Sequence, residues 1–439
     1  MMDGETDDSG AIQDAIDACG VAGGGTVDIP AGKVLIEDVI RITYDNVVLR
    51  GAGKDRTVIQ IPHSLLYYDY AAGESEGDGL QRSRGFLEIA GSVVKSRKKG
   101  SNYVGQVLSQ AKAGQRSLYL DNTEGILVGD WVRLYMSDPA FGPREGSLVG
   151  MLYSSPDPAA RCGESCLKSL RGWKDLVRFM SRVVSVSGNR IVLERELPFD
   201  VRTAWRPVIL TVGKDTVQNS GIQDLTVQFA WHKTQKHLKE DGFNAIVLEE
   251  TAFCWVRDVK VVDADLNVVV RYSNFATVSG VDVGVTKDRS HYTSPGKQGH
   301  IALGIHDSSD VDVSDFNLRG KWWHDLSVRA SMLSVFRDGR GEDVNMDLHR
   351  SAPYMILYEN IDLGEGTRPF ATGGLPGNGL PTAGYATFWN IRKSNKEAIP
   401  EPRCSFGAKM NLVGNFKKRY KCKGRVVSTS MTGGPRTPK

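Results

Sequence analysis

The stretch Val256-Arg257-Asp258-Val259-Lys260-Val261 is answered 22 residues later by Val278-Ser279-Gly280-Val281-Asp282-Val283. Both carry apolar side chains at the first, fourth and sixth places. The same signature stands at Ile222/Leu225/Val227, Val313/Phe316/Leu318 and Tyr358/Ile361/Leu363, and the steps from Val313 through Val335 to Tyr358 are 22 and 23 residues. Two longer steps, 34 from Ile222 to Val256 and 35 from Val278 to Val313, read as one rung plus an insertion of about a dozen residues. Short β-strands at this period suit a coiled parallel sheet, where each turn adds a strand to each face about 4.8 Å above the last. An antiparallel sandwich does not hold so long a period. The fold class expected is all-β, a right-handed parallel β-helix.

Working outward, residues 101–207 break the rhythm. Gln115–Leu120 and Gly129–Leu134 are followed, across a Pro/Gly/Cys-rich loop, by the alternating run Val183–Leu193 with a Gly188-Asn189 turn, a hairpin signal. An inserted antiparallel β-subdomain is expected there. The division is then 1–100 as N-terminal cap and first rungs, 101–207 as insertion, 208–393 as main rungs and 394–439 as a basic segment ending in a loose tail.

At the start, Asp8-Ser9 can cap a short helix whose apolar Ala11, Ile12, Ala15, Ile16 and Cys19 share a face, with Gly20 ending it. Gly23-Gly24-Gly25 leads into Thr26-Val27-Asp28-Ile29-Pro30-Ala31-Gly32, and Val48-Leu49-Arg50-Gly51-Ala52-Gly53 follows. With Thr6-Asp7-Asp8-Ser9-Gly10-Ala11-Ile12-Gln13-Asp14-Ala15-Ile16, these segments resemble the opening of the pectate-lyase-like β-helix superfamily. That resemblance implies a helix capping an open β-helix and a polysaccharide as partner. It does not choose a chemistry, because lyases, hydrolases, fructan transferases and phage tailspikes share this opening. It carries none of the calcium-dependent pectate lyase signature, so no metal ligands are assigned, and calcium is the one cofactor left open.

Composition narrows the partners. With 40% hydrophobic and 24% charged residues the chain is ordinary globular material, and 55 basic against 52 acidic residues leave a net charge of +3. No global field favours nucleic acid or an anionic membrane; the basic run Phe416–Lys423 is too short and local to change that. No apolar run reaches eighteen residues, and Met1–Asp8 lacks the features of a secretory leader. An extracellular or cell-wall location is expected from the polysaccharide partner and from the cysteines. Cys162 and Cys166 suit a local disulfide, since no second Cys or His pair completes a zinc site; Cys404 and Cys422 could staple the basic segment, and Cys254 reads as a buried small hydrophobe.

Loop insertions on a solenoid line one face, where ligands bind. The insertion after Val227 offers Trp231, His232, His237, Glu240 and Asp241; that after Val283 offers Asp288, Arg289, His291, Tyr292 and His300. Equal offsets from equivalent strand ends should stack Asp265/Leu266, Lys287/Asp288, Trp322/Trp323 and Thr367/Arg368 as a ladder along one edge. Trp faces pack on sugar C–H surfaces and Arg forks grip carboxylates, although one of the two tryptophans could equally be core. In a strand Asn345, Asp347 and His349 point to one side, so that a carboxylate orients an imidazole, with Arg350 just beyond and Tyr354 close by.

Two reactions compete. In β-elimination on a uronic-acid polymer, His349 or His324 would remove the proton α to the carboxylate, Asp347 would orient the base, and Arg350 and Arg368 would neutralise the acid; Trp322, Trp323, Asp241, Asp265, Lys287, Asp288, His300 and Tyr354 would hold the sugar. In glycoside hydrolysis or transfer, two carboxylates among Asp241, Asp263, Asp265, Asp288, Asp307 and Asp347 would flank the bond. The weight of His and Arg favours the lyase. A non-catalytic glycan-binding or wall protein is the third reading.

Overall fold

The computed structural model describes residues 3–68, 70, 84–92, 103–137, 146–155, 157, 166, 176–213, 215–407 and 409–428. Its main body is a right-handed parallel β-helix. One register line runs Ile222, Val256, Val278, Val313, Phe336, Tyr358, Phe388, Leu412 and Val427, each paired in parallel with the next. The second sheet stacks Leu87, Ile246, Val268, Leu303, Leu326 and Met346 in the same way. These side chains point inward and form one continuous apolar core.

One position of the predicted register is corrected. Val313 pairs with Phe336, so the steps are 23 and then 22, while Val335 pairs with Asp312 and Leu357. A one-residue shift exchanges the faces of a strand, and it is the larger aromatic that goes inside. Phe336 is fully buried, and its ring stacks on Tyr358 at 5.4 Å, which stacks on Phe388 at 5.3 Å.

Two residues past each of the first seven points on that line, the chain turns through the left-handed region at Asp224, Asp258, Gly280, Asp315, Asp338, Asn360 and Asn390, with φ between 49° and 65°. Asp, Asn and Gly are the residues that enter this region most readily. Each coil bends there between two short segments of the same sheet.

The N-terminal helix α1, Ser9–Val21, buries Ile12 and Ile16 against the first coil. Asp8 does not cap it through its side chain. Instead the Asp7 carboxylate accepts from Ser9 N and Oγ, and Ser9 Oγ accepts from the amides of Glu37 and Asp38. Gly20 lies within the helix, and a Cβ there would sit 2.1 Å from the Tyr44 ring.

The inserted antiparallel sheet has strands Tyr103–Gln106, Ser117–Tyr119, Trp131–Met136, Val177–Ser187, Arg190–Leu193 and Val208–Thr211. Ser187 and Arg190 flank the hairpin turn read from Gly188-Asn189. The insertion lies along one corner of the coil: its core takes in Met332, Ala352, Tyr354 and Ala383, and Arg195 pairs with Asp310 at 2.6 Å. It also interrupts a pairing. Gly221–Phe229, beyond the insertion, hydrogen-bonds to Val47–Arg50 and Thr57–Ile61 before it.

Asn411–Val413 and Val426–Ser428 add further parallel strands, and Cys404 and Cys422 are joined by a disulfide with Cα atoms 5.3 Å apart. Cys166 is disulfide-bonded, whereas the Cys162 half of the expected bridge and the last ten residues lie outside the described residues. Cys254 is a buried free thiol.

The aromatic column gives a stability test. Tyr358→Ala removes its middle ring and should cost about 3–5 kcal/mol in urea unfolding. Tyr358→Phe, which loses only the hydroxyl bond to Leu326 O, should cost about 1 kcal/mol.

Candidate active site

Four imidazoles from different coils gather where the second sheet meets its loop insertions. His300 and His324 stand at the starts of neighbouring strands, and His324 N donates to His300 O at 2.9 Å. His349 follows the strand Met346–Leu348 one coil further on, and His237 descends from the insertion after Phe229. Ring centroids are 4.8 Å apart for His237–His300, 5.1 Å for His300–His324 and 4.5 Å for His324–His349. The row is most accessible at its ends: the side chains of His237 and His349 are 27% and 14% exposed, against 3% and 8% for His300 and His324.

Asp347 is fully buried beneath this row. Its Oδ2 lies 2.7 Å from Nδ1 of both His324 and His349, and its Oδ1 accepts from Gly373 N at 2.9 Å. Burial alone would raise its pKa, but the two imidazoles hold the carboxyl far below the usual range. Burial also dominates at His324, lowering its pKa to about 3 and keeping the ring neutral. For Glu240, burial is outweighed by the neighbouring His237 and His300 imidazoles, and the pKa falls to about 2. Backbone covers the pair of rings on one side: a Cβ on Gly373 would lie 2.2 Å from His349 Cε1 and 2.6 Å from His324 Cε1.

Of the residues expected in a catalytic role, His349, His324 and Asp347 are thus brought together, with His300 beside them. Asn345, expected on the same side, ties its Nδ2 to Ala371 O. Arg350 follows His349 with φ 62°, and its guanidinium donates to Gly379 O at 2.5 Å. Arg368 is committed to buried Asp325 at 2.6 Å and lies 3.6 Å from Asp343, so it is a clamp within the wall.

The predicted edge ladder dissolves in part. Residues 285–299 loop out, so Leu266 pairs with Ile301 and then His324, and Lys287 and Asp288 leave the stack. Lys287 sits over the Trp231 ring at 3.8 Å, and Asp288 accepts from Ser290 and Gln298 within its own loop. Asp265 is 1% exposed and paired with the buried Arg289 at 2.7 Å, so it stabilises the loop and does not reach solvent. Asp241 is half-buried and accepts from Gln235. Trp322 is core at 0% exposure, while Trp323 stays half-buried with its ring 4.2 Å from His237. Tyr354 belongs to the core shared with the insertion, away from the imidazoles.

The ladder reading missed Lys297. Burial, followed by the charge of Arg368, lowers its pKa to about 8, and the ammonium is 5.9 Å from the Trp323 ring. Its place inside a histidine-bearing insertion was the available signal. Among the described residues, two histidine-bearing groups have metal-ligand spacing, His237/Glu240/His300 and His324/Asp347/His349. Both are rich in nitrogen, unlike the all-oxygen sets that calcium takes. Away from them, a concave pocket of about 430 Å³ on the first sheet is lined by Lys54, Lys260 and Arg319 among others, and it holds none of the imidazoles.

Residues 1–79 match the family model described as rhamnogalacturonase A/epimerase, pectate lyase-like. Alginate lyase 7 of Azotobacter vinelandii is 46% identical over 65 residues, which is 13% of this chain and 8% of that protein. Mannuronan C5-epimerase AlgE6 of the same organism is 46% identical over 67 residues, 14% of this chain and 8% of that one. The chain therefore spans under a tenth of the length of these relatives. Among solved structures, tailspike gp49 of Pseudomonas phage LKA1 superposes with a TM-score of 0.54 at 15% identity, covering 92% of this chain and 62% of that one. The family similarity thus lies in residues 1–79, and the fold shared with the tailspike over most of the chain is the parallel β-helix.

The neutral, buried His324 makes the fold acid-sensitive. Its folded pKa of about 3 lies below the ordinary 6.5, so the native state binds fewer protons than the unfolded chain between those values. Its contribution to stability is whole above pH 6.5 and is lost as pH falls toward 3. Between pH 6.5 and 4.5 the wild type should lose on the order of 2 kcal/mol more than His324→Gln in urea unfolding.

Proposed function

We propose that this pectate-lyase-like β-helix acts on an acidic polysaccharide, cleaving it at a uronate by β-elimination. The observation that carries the reading is the pair of imidazoles on one buried carboxylate, Asp347 with His324 and His349, at a site that also presents Lys297. Asp347 occupies Nδ1 of His349, which leaves Nε2 as the proton acceptor on the more exposed of the two rings. In this reading His349 Nε2 takes the proton on C5, α to the uronate carboxylate. The C–H electrons form the C4–C5 double bond as the C4–O bond breaks, and solvent protonates the departing oxygen. Lys297 and Arg350 balance the charge that grows on the carboxylate, and Trp323 and His237 offer ring faces to a sugar.

Several features support this choice. The alginate lyase and mannuronan C5-epimerase similarities concern proteins whose names are those of enzymes acting on uronate polymers. Hydrolysis needs a carboxyl with raised pKa facing an ionised one. Among its candidates Asp263, Asp265, Asp307 and Asp347 are held by Thr286, Arg289, Arg329 and the imidazoles, and burial raises the pKa of Asp241. The Cys404–Cys422 disulfide agrees with an extracellular or cell-wall setting.

Incubation with alginate, polygalacturonate and glucuronan, followed by absorbance of the unsaturated uronate, tests the proposal. His349→Ala should lower kcat about 10²–10⁴-fold with an unchanged melting temperature. Reducing ends without the chromophore would replace elimination by hydrolysis. Inversion at C5 without cleavage would keep the proton abstraction but remove the lyase, and absence of any product would leave a glycan-binding protein.

A further inference from the structure

The two histidine–carboxylate groups look alike in composition and differ in spacing. Around Asp347, both Nδ1 atoms are 2.7 Å from the same oxygen, close enough for direct contact without an ion between them, and His349 Nδ1 is hydrogen-bonded to it, while His324 Nδ1 is near it without a hydrogen bond. Around Glu240 the contacts are longer: Oε1 is 3.0 Å from His300 Nδ1 and 3.7 Å from His237 Nδ1. Ligands bound to one ion at about 2.0–2.1 Å stand about 3.0 Å apart on an octahedral edge and about 3.4 Å apart on a tetrahedral one. The Glu240 group brackets both, and its donor atoms all lie within 4.8 Å of one another.

A second observation points the same way. Glu240 is only 4% exposed, yet its Oε2 has no hydrogen-bond partner among the described residues. Nδ1 of His237 is likewise buried without one. Unsatisfied buried atoms of this kind are destabilising, and a cation between them would satisfy both. The coil brings His300 and its neighbour Trp323 into register, while the loop that carries His237 and Glu240 folds back on them, so the three ligands are preassembled.

We propose that His237, Glu240 and His300 form a binding site for a divalent transition metal, of zinc or manganese type. Two imidazoles and one carboxylate suit such ions and leave coordination positions open, whereas calcium and magnesium take oxygen ligands. The site lies beside His324, one of the two imidazoles on Asp347, with the His237 and His324 rings 5.7 Å apart. The assignment rests on the His237–Glu240–His300 geometry alone and stands apart from the lyase reading.

Cobalt(II) reports such a site by its visible absorption without any substrate. The metal-stripped 439-residue chain titrated with Co²⁺ and, by calorimetry, with Zn²⁺ should bind one equivalent. Glu240→Gln and His237→Ala should each weaken binding at least about a hundredfold, while His349→Ala binds as wild type does. His237 is partly exposed on a loop, so His237→Ala should keep the wild-type melting temperature in the stripped state. The site is refuted if no equivalent binds, if binding persists in both variants, or if it is lost in His349→Ala alone. Bound metal without lyase activity would leave this site intact while refuting the elimination reading.

Discussion

Successive coils of a parallel β-helix lie about 4.8 Å apart, and every residue has a fixed neighbour above and below it. This spacing governs the molecule from core to candidate site. It is close to the distance at which flat rings stack, and Phe336, Tyr358 and Phe388 use it with interplanar angles of 6° and 3°. Hydroxyls span it as well: Ser273, Ser308 and Ser331 receive or give hydrogen bonds from coil to coil. The same spacing lets Asp347 hold imidazoles from two coils at once. The arrangement that would strain an ordinary surface, titratable rings stacked in a row, comes here from simple repetition.

Much of the fold was legible because repetition leaves a trace in the sequence. Val256, Val278 and Val313 are in register as their spacing implied, and the two long steps do contain loop insertions. The slip at Val335 shows the limit of an apolar count: Val335 and Phe336 both fit the pattern, and only the aromatic stack chooses between them. A stronger signal lay unused in the same segments. The left-handed residue two places after each register position is Asp, Asn or Gly in seven successive coils, a backbone requirement that apolar periodicity does not express.

The candidate site was legible where it lies on strands and illegible where it depends on loops. Asp347 lies on the strand Met346–Leu348 and His349 just past its end, two residues on, so their meeting follows from period two carried one residue beyond the strand. His324 joins them by register. Equal offsets failed for Lys287 and Asp288 because a loop between two strands absorbs residues without advancing the coil. Trp322 and Arg368 depended on burial and partners, which pattern alone does not supply. Lys297 and the His237–Glu240 pair come from loops folded back across the rungs, and nothing local in the sequence announces where such a loop lands.

The insertion has a consequence for how the chain reaches this state. The edge formed by Val47–Arg50 and Thr57–Ile61 is completed by Gly221–Phe229, some 170 residues later. On a ribosome those early strands must wait with a bare edge, open to wrong partners. The antiparallel sheet between them makes its own pairings and can collapse first, bringing its ends together and shortening the effective search. The excursion that interrupts the solenoid thus doubles as its closing clasp, and lengthening or loosening it should show first as slower, more aggregation-prone maturation.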